Sequence, residues 1–391
     1  MSRKTFFTAA LTLTLVATAG CTDSTVTKEH PKVPADQAQA APTLEPVSAP
    51  LSDYGKYVPL KKKTDQISLG THQTYNLSSF FTGQNVLIAP DYLYEQSIYY
   101  YTYIKQTSDT AGKSYIYRYS QGSNDNQVLH TVKRTIGMMT GVSHYLFWVE
   151  SNPIKSGQKW TIRSMDLKTG NVNTLDQGIS RHDTAIPYLD ASSKRISWMT
   201  QEATPTRTKT LLKSFDVAED TIIIHQQYIL KEGVKRNGQY PFDFRRSDAG
   251  LILHTSTFKN GHKTPTLETF DGTFKRRMNG LIDFEHSKKY VATGEEGSAL
   301  FLNKKSQKTG YQFKPADNRL TVDAFRFLSA DRVIFRESIS KLWYADLVHG
   351  TVAPLTDMAD TISKPIYANG KLAYGVSDGA QIEFHVIDLK K

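Results

Sequence analysis

Three short constellations carry side chains able to hold charge or move protons. Arg181-His182-Asp183 sets a base between a cation and a carboxylate, an order in which the acid can orient the imidazole for proton transfer. Asp243 stands two residues before Arg245, with Arg246 next, and Asp283 stands two before Glu285, with His286 next. In an extended chain positions two apart share a side, so each set can build one polar wall. Tyr99, Tyr101 and Tyr103 align in the same way, and tyrosine offers an apolar face with a polar tip, suited to a glycan or protein surface. His182, Asp183, Asp243, Arg245 and the three tyrosines are therefore the candidate binding residues. Each has a plainer reading: a solvated loop, a water-filled channel wall, or packing between layers. No two body histidines from His72 to His385 stand two or four apart, so a metal would need ligands from separate elements. There is no Gly-x-Ser-x-Gly elbow, no phosphate-binding Gly-rich loop and no His-Glu-x-x-His. The sequence thus names no catalytic residue, metal or cofactor, and leans towards binding.

The one cysteine of the 391 residues, Cys21, stands at a telling place. Arg3 and Lys4 open the chain, an apolar run extends from Phe6 to Ala19, and Thr18-Ala19-Gly20-Cys21 ends it. The run is shorter than a membrane span of about 20 apolar residues, and small residues at its end mark an export signal. The tetrapeptide resembles the lipobox of bacterial lipoproteins, with Thr18 in place of the usual aliphatic residue. The resemblance implies that residues 1–20 are removed and that Cys21 is lipidated. Two or three acyl chains on one residue give stable anchoring. Residues 21–53 are rich in Thr, Ala, Pro, Gln and Ser, with no periodic apolar face, and read as a disordered tether with a mean reach of about 30 Å. Thr22 after the cysteine is not a retention aspartate. The expected location is the outer membrane of a diderm, or the outer face of a monoderm's cytoplasmic membrane.

With 48 Lys and Arg against 38 Asp and Glu the chain carries +10, or +8 without Arg3 and Lys4. Basic residues cluster at Lys61-Lys62-Lys63, Lys231 with Lys235-Arg236, Lys275-Arg276-Arg277 and Lys304-Lys305-Lys308. An exported basic protein suits an anionic wall polymer, glycan or headgroup and has little access to nucleic acid. Lysines on loops and sheet edges also serve to block unwanted strand pairing.

The elements that position these residues read as strands. Period-two alternation dominates residues 54–391, as in Ser97–Gln106, and turn residues interrupt it every 8 to 12 positions. An apolar-x-Asp step followed by a turn recurs, with weaker copies, at Ser120, Asp166, Asp216, Asp271, Asn303, Asp346 and Asp388, at intervals of 46, 50, 55, 32, 43 and 42 residues. Such intervals suit a four-stranded propeller blade, with the acid accepting backbone N–H bonds as an Asx-turn. A second repeat precedes it, as in Ser247-Asp248-Ala249-Gly250, Ser329-Ala330-Asp331-Arg332 and Ala368-Asn369-Gly370-Lys371. These turns resemble those of the TolB-like (WD40-like PD40) β-propellers in five of seven units, without the Pro that precedes the family's turn. The expectation is an all-β propeller with units at 82–134, 135–180, 183–230, 237–280, 281–318, 320–360 and 362–391. Six or eight blades and a β-sandwich pair are the alternatives. The last unit is a strand short, and Gln66–Leu69 or Tyr57–Leu60 is expected to complete it and close the ring. The function expected is a monomeric, membrane-anchored envelope module binding a protein or an anionic glycan. A polysaccharide lyase or hydrolase is the alternative.

Overall fold

A computed structural model describes residues 56–81, 88–104, 112–181, 185–233, 235–378 and 381–389. Cys21, the whole of the 21–53 tether, His182 and Asp183 lie outside these residues. Among the described residues the strands form six hydrogen-bonded sheets, one of them eight-stranded, and they follow one another as seven antiparallel units of four. Blade 1 runs from Tyr92–Tyr94 to Asp125–Val132, blade 2 from Thr135–Val142 to Val172–Ser180, and blade 3 from Leu189–Ala191 to Thr221–Lys231. Blade 4 runs from Asn237–Ser247 to Lys275–Arg277, blade 5 from Asp283–His286 to Thr309–Phe313, and blade 6 from Val322–Phe327 to Thr351–Pro354. Blade 7 holds Thr361–Ile362 and Ile366–Ala368, then Lys371–Asp378, Gln381–Leu389 and Gly70–Asn76. Blades 3 and 4 share a sheet because Leu230 pairs with Gly238 and Lys231 with Asn237.

The closing strand differs from the sequence expectation. Gly70–Asn76 pairs antiparallel with Gln381–Leu389, while Lys56–Pro59 lies parallel on the outer strand of blade 5 and Lys61–Lys62 on that of blade 6. Ile67 and Gln66 bond the carbonyls of Pro354 and Leu355, so one segment straps three blades along their rim. The closing strand was hard to read because an outermost strand needs no apolar stripe: of its seven residues only Tyr75 is buried.

Alternation explains the core. Side chains leave a strand on opposite faces, and every blade has a neighbour on each side, so both faces are apolar. Buried clusters fill the successive interfaces, from Trp148 and Met139 between blades 1 and 2 to Phe335 and Phe313 between blades 5 and 6. Another unites Phe384 and Val386 of blade 7 with Ile98 and Tyr100 of blade 1. The last blade therefore packs on the first as the others pack on their neighbours. Three tryptophans meet a carboxylate with the indole N–H: Trp148 on Glu150 at 3.0 Å, Trp198 on Asp176 at 2.8 Å and Trp343 on Glu337 at 2.8 Å. That lets a large aromatic be buried without an orphaned donor.

The expected Asx-turns are present. Asp166 Oδ1 accepts the N–H of Lys168 and Thr169, Asp216 those of Ala218 and Glu219, and Asp346 those of Val348 and His349.

Candidate functional site

The turns between first and second strands converge at one end of the ring around a cavity of about 890 Å³. Serine shapes them: Ser192 Oγ accepts Arg195 N–H, Ser247 Oγ accepts Ala249 N–H, and Ser287 Oγ accepts Tyr290 N–H. Further bonds lace one turn to the next. Asp248 accepts from both N and Oγ of Ser193, Ser287 Oγ donates to Ala330 O, and Lys289 pairs with Asp331 at 2.9 Å. The rim is thus built as one polar collar, with hydroxyls from several blades (Ser143, Ser192, Ser247, Ser287) facing a shared space.

Just inside the collar six of the seven blades contribute a charged or polar side chain on or beside the first strand: Asp91, Thr140, Asp190, Arg246, Glu285 and Arg326 line the wall. Arg326 Nη1 lies 3.4 Å from Glu285 Oε2 and donates to Phe325 O at 2.9 Å. Asp190 Oδ2 accepts Arg246 N–H at 2.7 Å, and Glu285 Oε1 accepts His286 N–H at 2.8 Å. Burial disfavours the charged form of a carboxylate. It pushes Asp91 well up and raises Asp190; in Glu285, burial and the neighbouring Asp190 carboxylate together push the carboxyl to about 8. His286 takes the opposite course: burial, then the cation of Lys304, push it down to about 3. Its Nε2 lies 3.1 Å from Gly250 O and its Nδ1 2.9 Å from Lys304 Nζ. A carbonyl only accepts and an ammonium only donates, so the ring is neutral with its proton on Nε2. Burial in turn lowers Lys304 to about 8.

A second layer of charge lies one pleat deeper. Arg245 donates to Asp243 at 2.8 Å and to Asp283 at 2.6 Å, between the rings of Tyr188 and Phe284, whose centroids are 5.2 and 5.0 Å away. Asp283 Oδ2 also accepts Ala324 N–H at 2.6 Å. Ala324 has φ +56°, a conformation costly for a residue with a Cβ, and it sits at a break in the register of the blade 6 hairpin. The carboxylate of Asp283 holds this bulge in place. Asp323 and Arg336 make a bidentate pair beside it, at 2.9 and 2.8 Å.

The sequence candidates fare differently. Asp243, Arg245, Asp283, Glu285 and His286 come together on the channel wall. The tyrosines do not form a surface. Tyr99 is buried against blade 2, Tyr101 packs half-buried at the same interface, and Tyr103 is half-buried. Tyr100 on the other face is buried against blade 7. A central strand of a blade has no free face, which is the physical reason for the correction. Asp190 and Arg326 were missed as site residues. A signal existed: each is a charged residue two or three positions before a serine turn, Asp190 between Leu189 and Ala191 and Arg326 between Phe325 and Phe327. Among the described residues no three His, Cys, Asp or Glu side chains gather as a metal-holding group.

No family model and no curated protein match this chain. Solved structures do. The β-propeller domain of the Trilobed protease from Pyrococcus furiosus is similar at a TM-score of 0.50 and 10% identity, over 77% of this chain and 93% of that one. An oligogalacturonate lyase in complex with manganese is similar at a TM-score of 0.49 and 12% identity, over 87% and 99%. At such identities the likeness reaches the fold and stops there. Strand order, inter-blade packing and the likeness to the Trilobed protease propeller agree, and the chain is a β-propeller.

Proposed function

We propose that this protein is a lipid-anchored envelope propeller that binds a polar, acceptor-rich ligand, an oligosaccharide or an extended peptide segment, at the mouth of its central channel. The observation that carries this reading is Arg246. It lines the cavity together with the serine turns, its guanidinium makes no ion pair among the described residues, and its buried Nε has no hydrogen-bond partner there. A free guanidinium in a shielded polar pocket favours a ligand bearing carboxylate, phosphate or hydroxyl oxygens. Deeper in the channel Arg245 is already matched by Asp243 and Asp283, which suits a preformed wall. The anchor rests on Thr18-Ala19-Gly20-Cys21 and the tether that follows.

Two experiments test it. Metabolic labelling with an alkyne fatty acid should mark the wild type and leave Cys21→Ser unlabelled and released from membranes; equal labelling of both sinks the anchor. Titration of the full chain in detergent with acidic and neutral oligosaccharides and with peptides should find a ligand whose affinity falls at least tenfold in Arg246→Gln. A ligand bound equally by that variant places the site elsewhere. A second reading, a lyase or hydrolase, is favoured by Glu285, a carboxyl still protonated at neutral pH as a general acid must be. Turnover of a bound oligosaccharide, lost in Glu285→Gln, would select it.

A further inference from the structure

On the far side of the ring from the mouth, blades 3 and 4, like the two central strands of blade 2, outgrow blades 5 and 6. Their hairpin strands Arg207–Asp216, Thr221–Lys231, Asn237–Ser247 and Gly250–Lys259 hold 10 or 11 residues, against 4 to 6 in blades 5 and 6. The mouth turns are laced together, so the surplus lies at the opposite ends, and four extra residues at about 3.3 Å each make a ridge of roughly 13 Å.

The ridge is basic in an ordered way. Arg207 stands directly opposite Lys231, Lys231 opposite Asn237, and Lys259 opposite His262. Gly238 opposite Phe258 sets Lys259 beside Asn237. Cross-strand partners share a face, so these five residues form one rung across the eight-stranded sheet, and strands about 4.8 Å apart give it a length of roughly 19 Å. All five are exposed. Like charges directly opposite oppose pairing, yet no acid offsets Arg207, Lys231 or Lys259 among the described residues. The nearest one, Glu232, is taken by Arg236 at 2.9 Å and by Thr208 at 2.9 Å. A fold that keeps such a row carries a surface for negative charge.

We infer that this rung is a docking track for an extended anionic polymer, a sugar or polyol chain bearing phosphate, sulfate or carboxylate groups. One cation per strand or two matches a linear chain with a charge every 5 to 10 Å, by the same strand spacing of about 4.8 Å. A bilayer is the less suitable partner. The chain enters the body on the mouth side, where Lys56 pairs with Thr309, the first residue of its strand, and the ridge projects on the other. The inference deepens the binding-module reading at a separate surface, so the Arg246 series and the ridge series fail independently.

The test uses full-length protein in detergent and labelled dextran sulfate, with neutral dextran and phosphatidylglycerol vesicles beside it. With contacts from the three cations Arg207, Lys231 and Lys259, binding should weaken roughly fivefold for each doubling of salt. The variant R207E/K231E/K259E should lose at least about a hundredfold in affinity and most of that salt dependence. The equally charged variant K168E/K194E/K305E, on exposed lysines of the other side, should lose less than about threefold. Equal loss in both variants would reduce the effect to net charge and overturn the track, as would equal binding of neutral dextran. Tighter binding to vesicles than to dextran sulfate, abolished by the ridge variant, would replace the polymer with a membrane. Matching melting curves of the two variants show that the loss is not unfolding.

Discussion

Glu285→Gln should change how the stability of the propeller depends on pH, and its size follows from the channel wall. In the folded ring burial and Asp190 hold the Glu285 proton on up to about pH 8. In the unfolded chain the same carboxyl releases it near the ordinary value of about 4.3. Between those values the unfolded state binds fewer protons, so raising the pH favours unfolding and the folded state loses stability. The slope is about 1.4 kcal/mol per pH unit for one proton. From about pH 5.5 to about pH 7, between the two values, Glu285 costs the wild type about 2 kcal/mol. Glutamine has nothing to titrate there. Any fixed penalty of the substitution, such as an amide facing Arg326, is nearly the same at both ends and cancels. Urea unfolding of both proteins across this range should give curves that diverge by about 2 kcal/mol, the variant gaining at the higher pH. Parallel curves would show that Glu285 is ionised in the folded ring and that its proton plays no part in the channel.

Three further outcomes are expected. Arg245→Met leaves Asp243 and Asp283 facing each other without their cation and should cost about 3–5 kcal/mol in urea unfolding, with Asp283→Asn restoring part of it. Trp148→Ala empties a wholly buried site between blades 1 and 2 and takes one donor from Glu150, which keeps Arg134 and Arg163, at a cost of about 3–5 kcal/mol read the same way. Removing residues 56–76 exposes the edges of blades 5, 6 and 7 together, and the product should aggregate or bind a hydrophobic dye in light-scattering and fluorescence assays.

Much of the fold was legible because it is a repeat. Unit limits set by turn spacing, such as 135–180 and 237–280, meet observed blades of 135–180 and 237–277, since each blade must bury both faces and end in a turn. The Asx-turns were legible for a local reason: an Asp two residues before an N–H in a tight turn has one obvious partner. Pairing between distant segments was not. Residues 56–62 and 70–76 are short and mostly polar, and they are placed by the free edges they cover, which no local pattern records. The channel was half legible. Asp243 with Arg245 and Asp283 with Glu285 stand out as charged pairs on apolar strands, but their partners Asp190 and Arg326 are isolated in sequence. Only the ring brings 190, 245, 285 and 326 together.

The strap begins on the mouth side of the ring. Lys56 pairs with Thr309, next to the turn where Lys304 N–H bonds Lys289 O, and Lys288 beside it lines the cavity. The chain therefore enters the body on the side where the channel opens, and the lipid we propose on Cys21 would hold that opening towards the membrane. A ligand must then reach it through a gap set by the tether, and the mean span of a flexible chain grows as the square root of its length. Halving the tether should narrow the gap by about 30%, from roughly 30 Å to roughly 21 Å. Small oligosaccharides should still bind to the anchored protein, whereas a ligand carried on a wide particle should be excluded. Equal binding of the wide ligand before and after shortening, measured on reconstituted vesicles, would show that the mouth faces away from the bilayer.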